Sequence, residues 1–402
     1  MSIRIETPVL IPDDYAGLAA AAIGFERLPR SGDAENDLER YCRAAWTRLA
    51  EPGNVWAFTL IRELGPVAGL AAVVQRSERV VAQEFRPRLA LLDVPNDVRI
   101  AERFGARLIM PSDDEWPSGV DDLDMPPYAL WIRGPHDLAR ACATSVAVVG
   151  ARASSDYGVT LSNDLGWGLA SRGFAVISGA AYGIDAAAHR GALAAGGVTV
   201  AVLACGIDKP YPSAHATLLA EIADRGVVVS EVAPGSAALR SRFLERNRLI
   251  ATMSQGTVVV EAGLRSGSKN TARTAAKHHR VVMAVPGRVT SPVSAGCHEI
   301  IRSGMAQLVT DVDEVVELVS PAGEHLAPDR RAPRSLRDEL PEGDARVLDA
   351  LTSRARTVSK IASVTGMSIR SASAALGRLD ALGLAALTET GWRRPAKAPA
   401  AR

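Results

Sequence analysis

The sequence predicts an α/β protein built on a parallel sheet, with a helical domain before the sheet and a winged-helix domain after it. Three observations carry this. Six short, apolar, β-branched runs recur between Ser145 and Val319, separated by segments of helix length. The first 125 residues are rich in alanine, arginine and acidic residues, with helical periodicity in stretches such as Ala34 to Ala50. Beyond a proline-containing stretch, three amphipathic helical segments precede a pair of short strands.

A chain of 402 residues, 47 % hydrophobic and 23 % charged, has enough apolar area for two to three cores, which excludes a disordered tract or a small disulfide scaffold. The formal net charge is only +1, so the whole-chain balance points to no polyanionic partner and any such case rests on local clustering. Cys42, Cys142, Cys205 and Cys297 stand far apart without a Cys-x-x-Cys pair and read as reduced thiols in a cytoplasmic protein. Arg4, Glu6, Asp13 and Asp14 occupy the place where a signal peptide needs an apolar core. The longest uncharged run, Gly191 to Ile207, divides into a helix end, a Gly196-Gly197 turn and a strand from Val198 to Leu203, so no membrane partner is expected.

Taken in order, residues 1–125 form the helical domain. Within it, Leu64 to Leu70, with Gly65, Pro66 and Gly69 among apolar residues, has the composition of a helix-hairpin-helix turn and equally of a plain loop. Short extended pieces around Arg107 to Met110 and Leu130 to Ile132 lead into the next domain, residues 126–320. Its strands are Val146–Val149, Phe174–Ile177, Val198–Leu203, Val227–Ser230, Thr257–Val260 and Val281–Val285. None alternates with polar residues, as expected of strands buried on both faces, and Gly173 and Gly226 end helices just before the next strand. In such a sheet, ligands sit at the carboxyl ends of the strands. Residues 321–341 read as a linker and 342–394 as the winged helix, with Ser368 to Leu382 as recognition helix.

The strand-end loops carry the chemistry. Gly150 and Arg152 follow the first strand and precede a helix whose free amides suit a phosphate, although the loop is not a full Gly-x-Gly-x-x-Gly fingerprint and no Walker lysine occurs. Ser178, Gly179 and Tyr182 follow the second, where glycine lets backbone approach a ligand. Asp185 and His189, four apart on the next helix, have a spacing open to acid–base or metal chemistry and equally to capping. The strongest signal lies between Ala238 and Arg288, where ten basic residues meet two acidic ones, a net +8. Arg240, Arg242, Arg246 and Arg248 surround Phe243 and Asn247, which combines phosphate-binding guanidinium groups, a stackable ring and a side-chain amide. Ser266, Gly267, Lys269 and Thr271 follow a later strand and again offer amides and hydroxyls. No nucleophile elbow, metal cluster or paired-carboxylate signature accompanies them, so neither catalysis nor a metal is expected.

At these loops the chain resembles the DNA-processing protein A family, also called Smf, the single-strand DNA-binding recombination mediators of bacterial transformation. The resemblance spans about residues 100 to 312. Val146 to Arg152 is similar to the family's Gly-Ser-Arg loop, and Ser178 to Asp185 to its Ser-Gly-Leu-Ala-Arg-Gly-Ile-Asp motif, followed by His189. Ala201 to Asp208 with Tyr211-Pro212, then Ser230-Glu231, Phe243 and Arg246 to Ile250, continue the series. Glu261, Ser266 to Ser268, Thr271, Val285 to Gly287 and Gly296 to His298 close it. The resemblance implies an extended Rossmann-like domain that binds single-stranded DNA, a homodimer, delivery of the recombinase RecA onto that DNA, and no nucleotide cofactor or hydrolysis. Carried over by position, Arg152, Arg240, Arg242, Phe243, Arg246 and Lys269 line the DNA pocket, while Asn247, Arg248 and Thr271 brace it. Tyr182 stands where the family has a basic residue, Leu244 where it has proline, and Ala151 where it has a hydroxyl.

Two other readings are weighed. A nucleotide phosphoribohydrolase shares Gly- and Thr-rich loops with a glutamate, but Gln255-Gly256-Thr257 and Glu261 depart from the Pro-Gly-Gly-x-Gly-Thr-x-x-Glu signature. A duplex-DNA regulator is the third. Residues 334–394 carry ten basic and seven acidic residues, and the recognition helix has only Arg370 and Arg378 among small residues, which suits protein contact at least as well.

Overall fold

A computed structural model describes residues 13–75, 80–328 and 337–395; part of the expected linker and both chain ends lie outside these. Contacts divide the chain into two compact units, one running to Ala327 and one from Pro328.

The first unit opens with helices α1 (Tyr15–Ile23), α2 (Ala34–Leu49), α3 (Val55–Val74), α4 (Val80–Leu89) and α5 (Val94–Arg103). Asp14, Asp33, Asn54 and Asp93 cap four of them, each side chain accepting a first-turn amide that has no helical partner. Trp46 is fully buried at the centre, edge-on to Phe85 at 5.5 Å. By length and composition α3 is apolar enough to cross a membrane, yet half of it is buried and Gly65 (φ 80°) and Pro66 break it into two arms. The Leu64 to Leu70 segment is thus a turn between helices, its Pro66 carbonyl taken by the Trp46 indole at 2.9 Å.

Nine strands follow: β1 (Ala106–Ile109), β2 (Leu130–Arg133), β3 (Ser145–Val149), β4 (Ala175–Ser178), β5 (Thr199–Leu203), β6 (Val227–Ser230), β7 (Gly256–Val259), β8 (Val281–Ala284) and β9 (Gln307–Leu308). They form one sheet in the order β1-β2-β6-β5-β4-β3-β7-β8-β9, in which β2 alone runs against the rest. The six predicted strands are there within a residue or so of their expected ends, and the core is the Rossmann-like parallel sheet. The extended pieces before them add to it: β1 and β2 extend the sheet beyond β6, and the Trp131 indole of β2 donates to Thr47 of α2 at 3.1 Å.

Helices α6 (Leu138–Ala143), α7 (Asp156–Ser171), α8 (Ile184–Ala194), α9 (Ala216–Arg225), α10 (Arg240–Met253), α11 (Ser268–Lys277), α12 (Ala295–Arg302) and α13 (Val312–Val319) cover the sheet. Alternation decides the faces: Val146 and Val148 pack with α7, α8 and α13, while Ala147 and Val149 pack with α10, α11 and α12. The second unit contains α14 (Glu342–Ala350), α15 (Val358–Thr365), α16 (Ile369–Ala381) and the hairpin β10 (Ala386–Thr388) and β11 (Gly391–Arg393), around buried Val347, Ile361, Leu376 and Leu379. This is the expected winged-helix arrangement.

Candidate nucleic-acid interface

From β3 the chain steps outward through β4, β5 and β6, then returns to the other side of β3 for β7 and β8. That reversal leaves a crevice beyond the carboxyl ends of β3 and β7, and a cavity of about 610 Å³ opens there.

Five loops or helices supply its walls. Gly150 turns the chain after β3 hard against α8: a Cβ there would lie 2.5 Å from Ile184 Cγ1. Arg152 follows, its guanidinium 4.8 Å from the centroid of the Phe243 ring. Tyr211, from the segment after β5, meets the same ring at 5.4 Å. Arg240, Phe243, Leu244 and Asn247 come from α10 at spacings of three and four, one face of the helix. Arg265, Ser266, Gly267 and Thr271 close the far side, where Asn247 Nδ2 donates to the Gly267 carbonyl at 3.4 Å. Arg152, Arg240 and Arg265 are exposed and make no ion pair among the described residues.

The floor is of a different kind. Arg246 is buried and donates to the carbonyls of Gly179, at 2.9 Å, and of Val202. A side chain at Gly179 would collide with this guanidinium, which explains the glycine. Burial pulls Arg246 down to about 10, opposed by the attraction of Asp185. Asp185 accepts the amides of Gly179 and Ala181 at 3.2 and 3.4 Å, and its own burial pushes its carboxyl above the usual range. His189 points elsewhere: Nδ1 lies 2.7 Å from Thr199 Oγ1, and burial holds the ring neutral, down to about 3. Asp185 and His189 therefore have separate structural partners, and no cluster of three or more metal-ligating side chains occurs among the described residues.

The cavity thus gathers Gly150, Arg152, Arg240, Phe243, Arg246, Asn247, Ser266, Gly267 and Thr271. It does not gather six other residues singled out in the sequence. Arg242 is taken by Glu51, with Nε and Nη2 each 2.8 Å from a carboxylate oxygen. Arg248 donates to Glu231 and to the Met125 carbonyl. The buried Lys269 donates to Leu264 O at 3.0 Å and to Glu299 at 2.6 Å. Ser178 is buried and donates to Val148 O, Gly179 lies beneath the wall, and Tyr182 is exposed against the edge of His215. Sequence reasoning missed Tyr211 and Arg265 as wall residues, although the Tyr211-Pro212 pair and the basic run both contained the signal.

Fold and cavity define a Rossmann-like protein with a cationic, aromatic-lined crevice at its switch point. The chain belongs to the DNA recombination-mediator protein A family, whose profile matches residues 107–320, and its role is DNA processing in recombination. It is 44 % identical over 366 residues to the "Putative DNA processing protein DprA" of Mycobacterium tuberculosis, covering 87 % of this chain and 93 % of the relative. It is 39 % identical over 204 residues to the DNA processing protein DprA of Streptococcus pneumoniae, covering 51 % and 71 % of the two chains. The X-ray structure of DNA processing protein A from Streptococcus pneumoniae superposes with a TM-score of 0.57 at 30 % identity, covering 68 % of this chain and 95 % of that one.

Proposed function

We propose that this chain is a non-catalytic, cytoplasmic mediator that binds single-stranded DNA in the switch-point cavity and, as a homodimer, delivers RecA onto it. One observation carries the reading: three guanidinium groups that make no ion pair among the described residues, Arg152, Arg240 and Arg265, line one cavity with the paired aromatics Phe243 and Tyr211. Guanidinium groups hold backbone phosphates, and exposed rings stack bases of any identity, so binding is sequence-tolerant and salt-sensitive. The buried Arg246 and Asp185 hold the loop after β4 beneath the cavity. Residues 126–320 then act as the DNA-binding domain, residues 1–125 as a helical support, and residues 342–394, beyond the 321–341 linker, as an interaction module.

Fluorescence-anisotropy titration of labelled oligothymidine at several salt concentrations tests this. Each phosphate contact contributes about 0.7 to the slope of log K against log salt for a single strand, so Arg152→Ala with Arg240→Ala should remove about 1.4 from it. Binding that prefers duplex, or a double variant that binds like wild type, would overturn the reading.

A further inference from the structure

A second cavity of about 310 Å³ adjoins the first, and Leu244 lines both. The Leu244 side chain is half exposed, so it forms a partition rather than part of a core. Beyond it, Asn270 and Thr274 of α11 and His278 at its C-cap, four residues apart on one face, line the second cavity together with the apolar side chains of Leu123 and Met125. The cations at this cavity are already engaged: Lys277 is bonded to Asp124, and Arg248 to Glu231. Glu245 adds a partly exposed carboxylate to the wall. The lining charges are thus paired with one another, Glu245 with Arg248 and Asp124 with Lys277, so a phosphate entering here would meet no unpaired cation. An uncharged planar ring would meet apolar contact from Leu123 and Met125 and, in the same cavity, an amide, a hydroxyl and an imidazole, which are the groups that read the edges of an extruded base.

We propose that the second cavity receives one nucleobase of the strand whose phosphates lie in the first, and that Leu244 is the wedge that separates this base from its neighbour. An apolar side chain inserted at a base step unstacks it, and the freed base needs a cavity to enter; the two features here are adjacent. The inference rests on the proposed single-strand binding, and it adds to that reading a base subsite and a fixed break in the stack.

The test uses the full chain and an oligodeoxyadenosine carrying 2-aminopurine at one position at a time, a base whose emission rises when it leaves the stack. With wild type, binding should raise emission severalfold at one position and little at the others. Thr274→Trp, which fills the cavity, should abolish that peak and weaken binding about three- to tenfold, the loss of one base contact, without changing the salt slope. Leu244→Ala, at an exposed position that leaves the fold intact, should lower the same peak and so decides the matter if Thr274→Trp does not fold. A flat emission profile with tight, salt-sensitive binding would overturn the base subsite alone, as would a peak that both variants leave unchanged. Failure of wild type to bind the oligonucleotide at all would overturn the single-strand reading and this one with it.

Discussion

On one side of α10, Arg240, Phe243 and Asn247 face the switch-point cavity; on the other, Arg242 and Arg248 meet carboxylates from outside the helix. Both sides are equally basic in the sequence. They differ in what the fold brings to them. Glu51 reaches Arg242 from 191 residues away and Glu231 reaches Arg248 from 17, whereas among the described residues no acid pairs with Arg240. A guanidinium already held by a carboxylate has little left to offer a phosphate, so the net +8 of this segment overstates the charge available to a ligand.

The division can be broken most directly at Arg248. Removing one partner of a buried ion pair leaves the other uncompensated, so Arg248→Ala should cost about 3–5 kcal/mol of unfolding free energy, read by denaturant titration. If it instead leaves stability intact and flattens the salt slope of oligothymidine binding, the two sides of α10 are wrongly divided. On the cavity side the effects should reverse. Phe243→Ala should weaken oligothymidine binding by about 1–3 kcal/mol while the melting temperature stays near that of wild type, measured by anisotropy and thermal unfolding.

Smaller effects sharpen the same contrast. Burial would raise the Glu51 carboxyl, but Arg242 and Arg88 together hold it below the usual carboxylate range. A carboxyl depressed in the folded state adds stability that is present above its unfolded pKa of about 4.3 and is lost as pH falls through the folded value. Partial exposure limits this to within about 1 kcal/mol. Denaturation at pH 7 and at acid pH should therefore show Glu51→Gln losing its deficit relative to wild type as the pH drops; a deficit constant with pH would deny the pairing an electrostatic origin. Smallest of all, deleting residues 328–402 should leave the affinity and salt slope for oligothymidine unchanged, because Arg378 of α16 is occupied by Asp344 and Arg370 is left as a lone exposed cation among small residues. A large loss would move the binding site out of the cavity.

Much of this architecture was legible in the sequence because it is written in local patterns. Unbroken β-branched runs such as Val227–Ser230 mark strands covered on both faces, and strand-end glycines such as Gly150 mark where backbone and helix must approach closely. The edge of the sheet was less legible, since β1 is half-buried in its middle and β9 is only two residues long. For the site, residue types and helical spacing pointed to α10, yet nothing local separates Arg240 from Arg242. Their fates depend on whether a carboxylate lies across a fold, which is long-range information. Lys269 shows the same: in sequence it is a cation beside a glycine-rich loop, and in the structure it is a buried brace between Leu264 and Glu299.

The order in which the walls of the cavity occur along the chain has a consequence for biosynthesis. Gly150 leads, Arg265 to Thr271 come last, and β7 must pair with β3 before those last residues reach the site. A nascent chain halted before β7 holds Arg152 and the α10 residues, yet the far wall of the crevice does not exist for it. Since domains gain their contacts as synthesis proceeds from the N-terminus, the proposed strand-binding cavity is complete only in the nearly finished polypeptide.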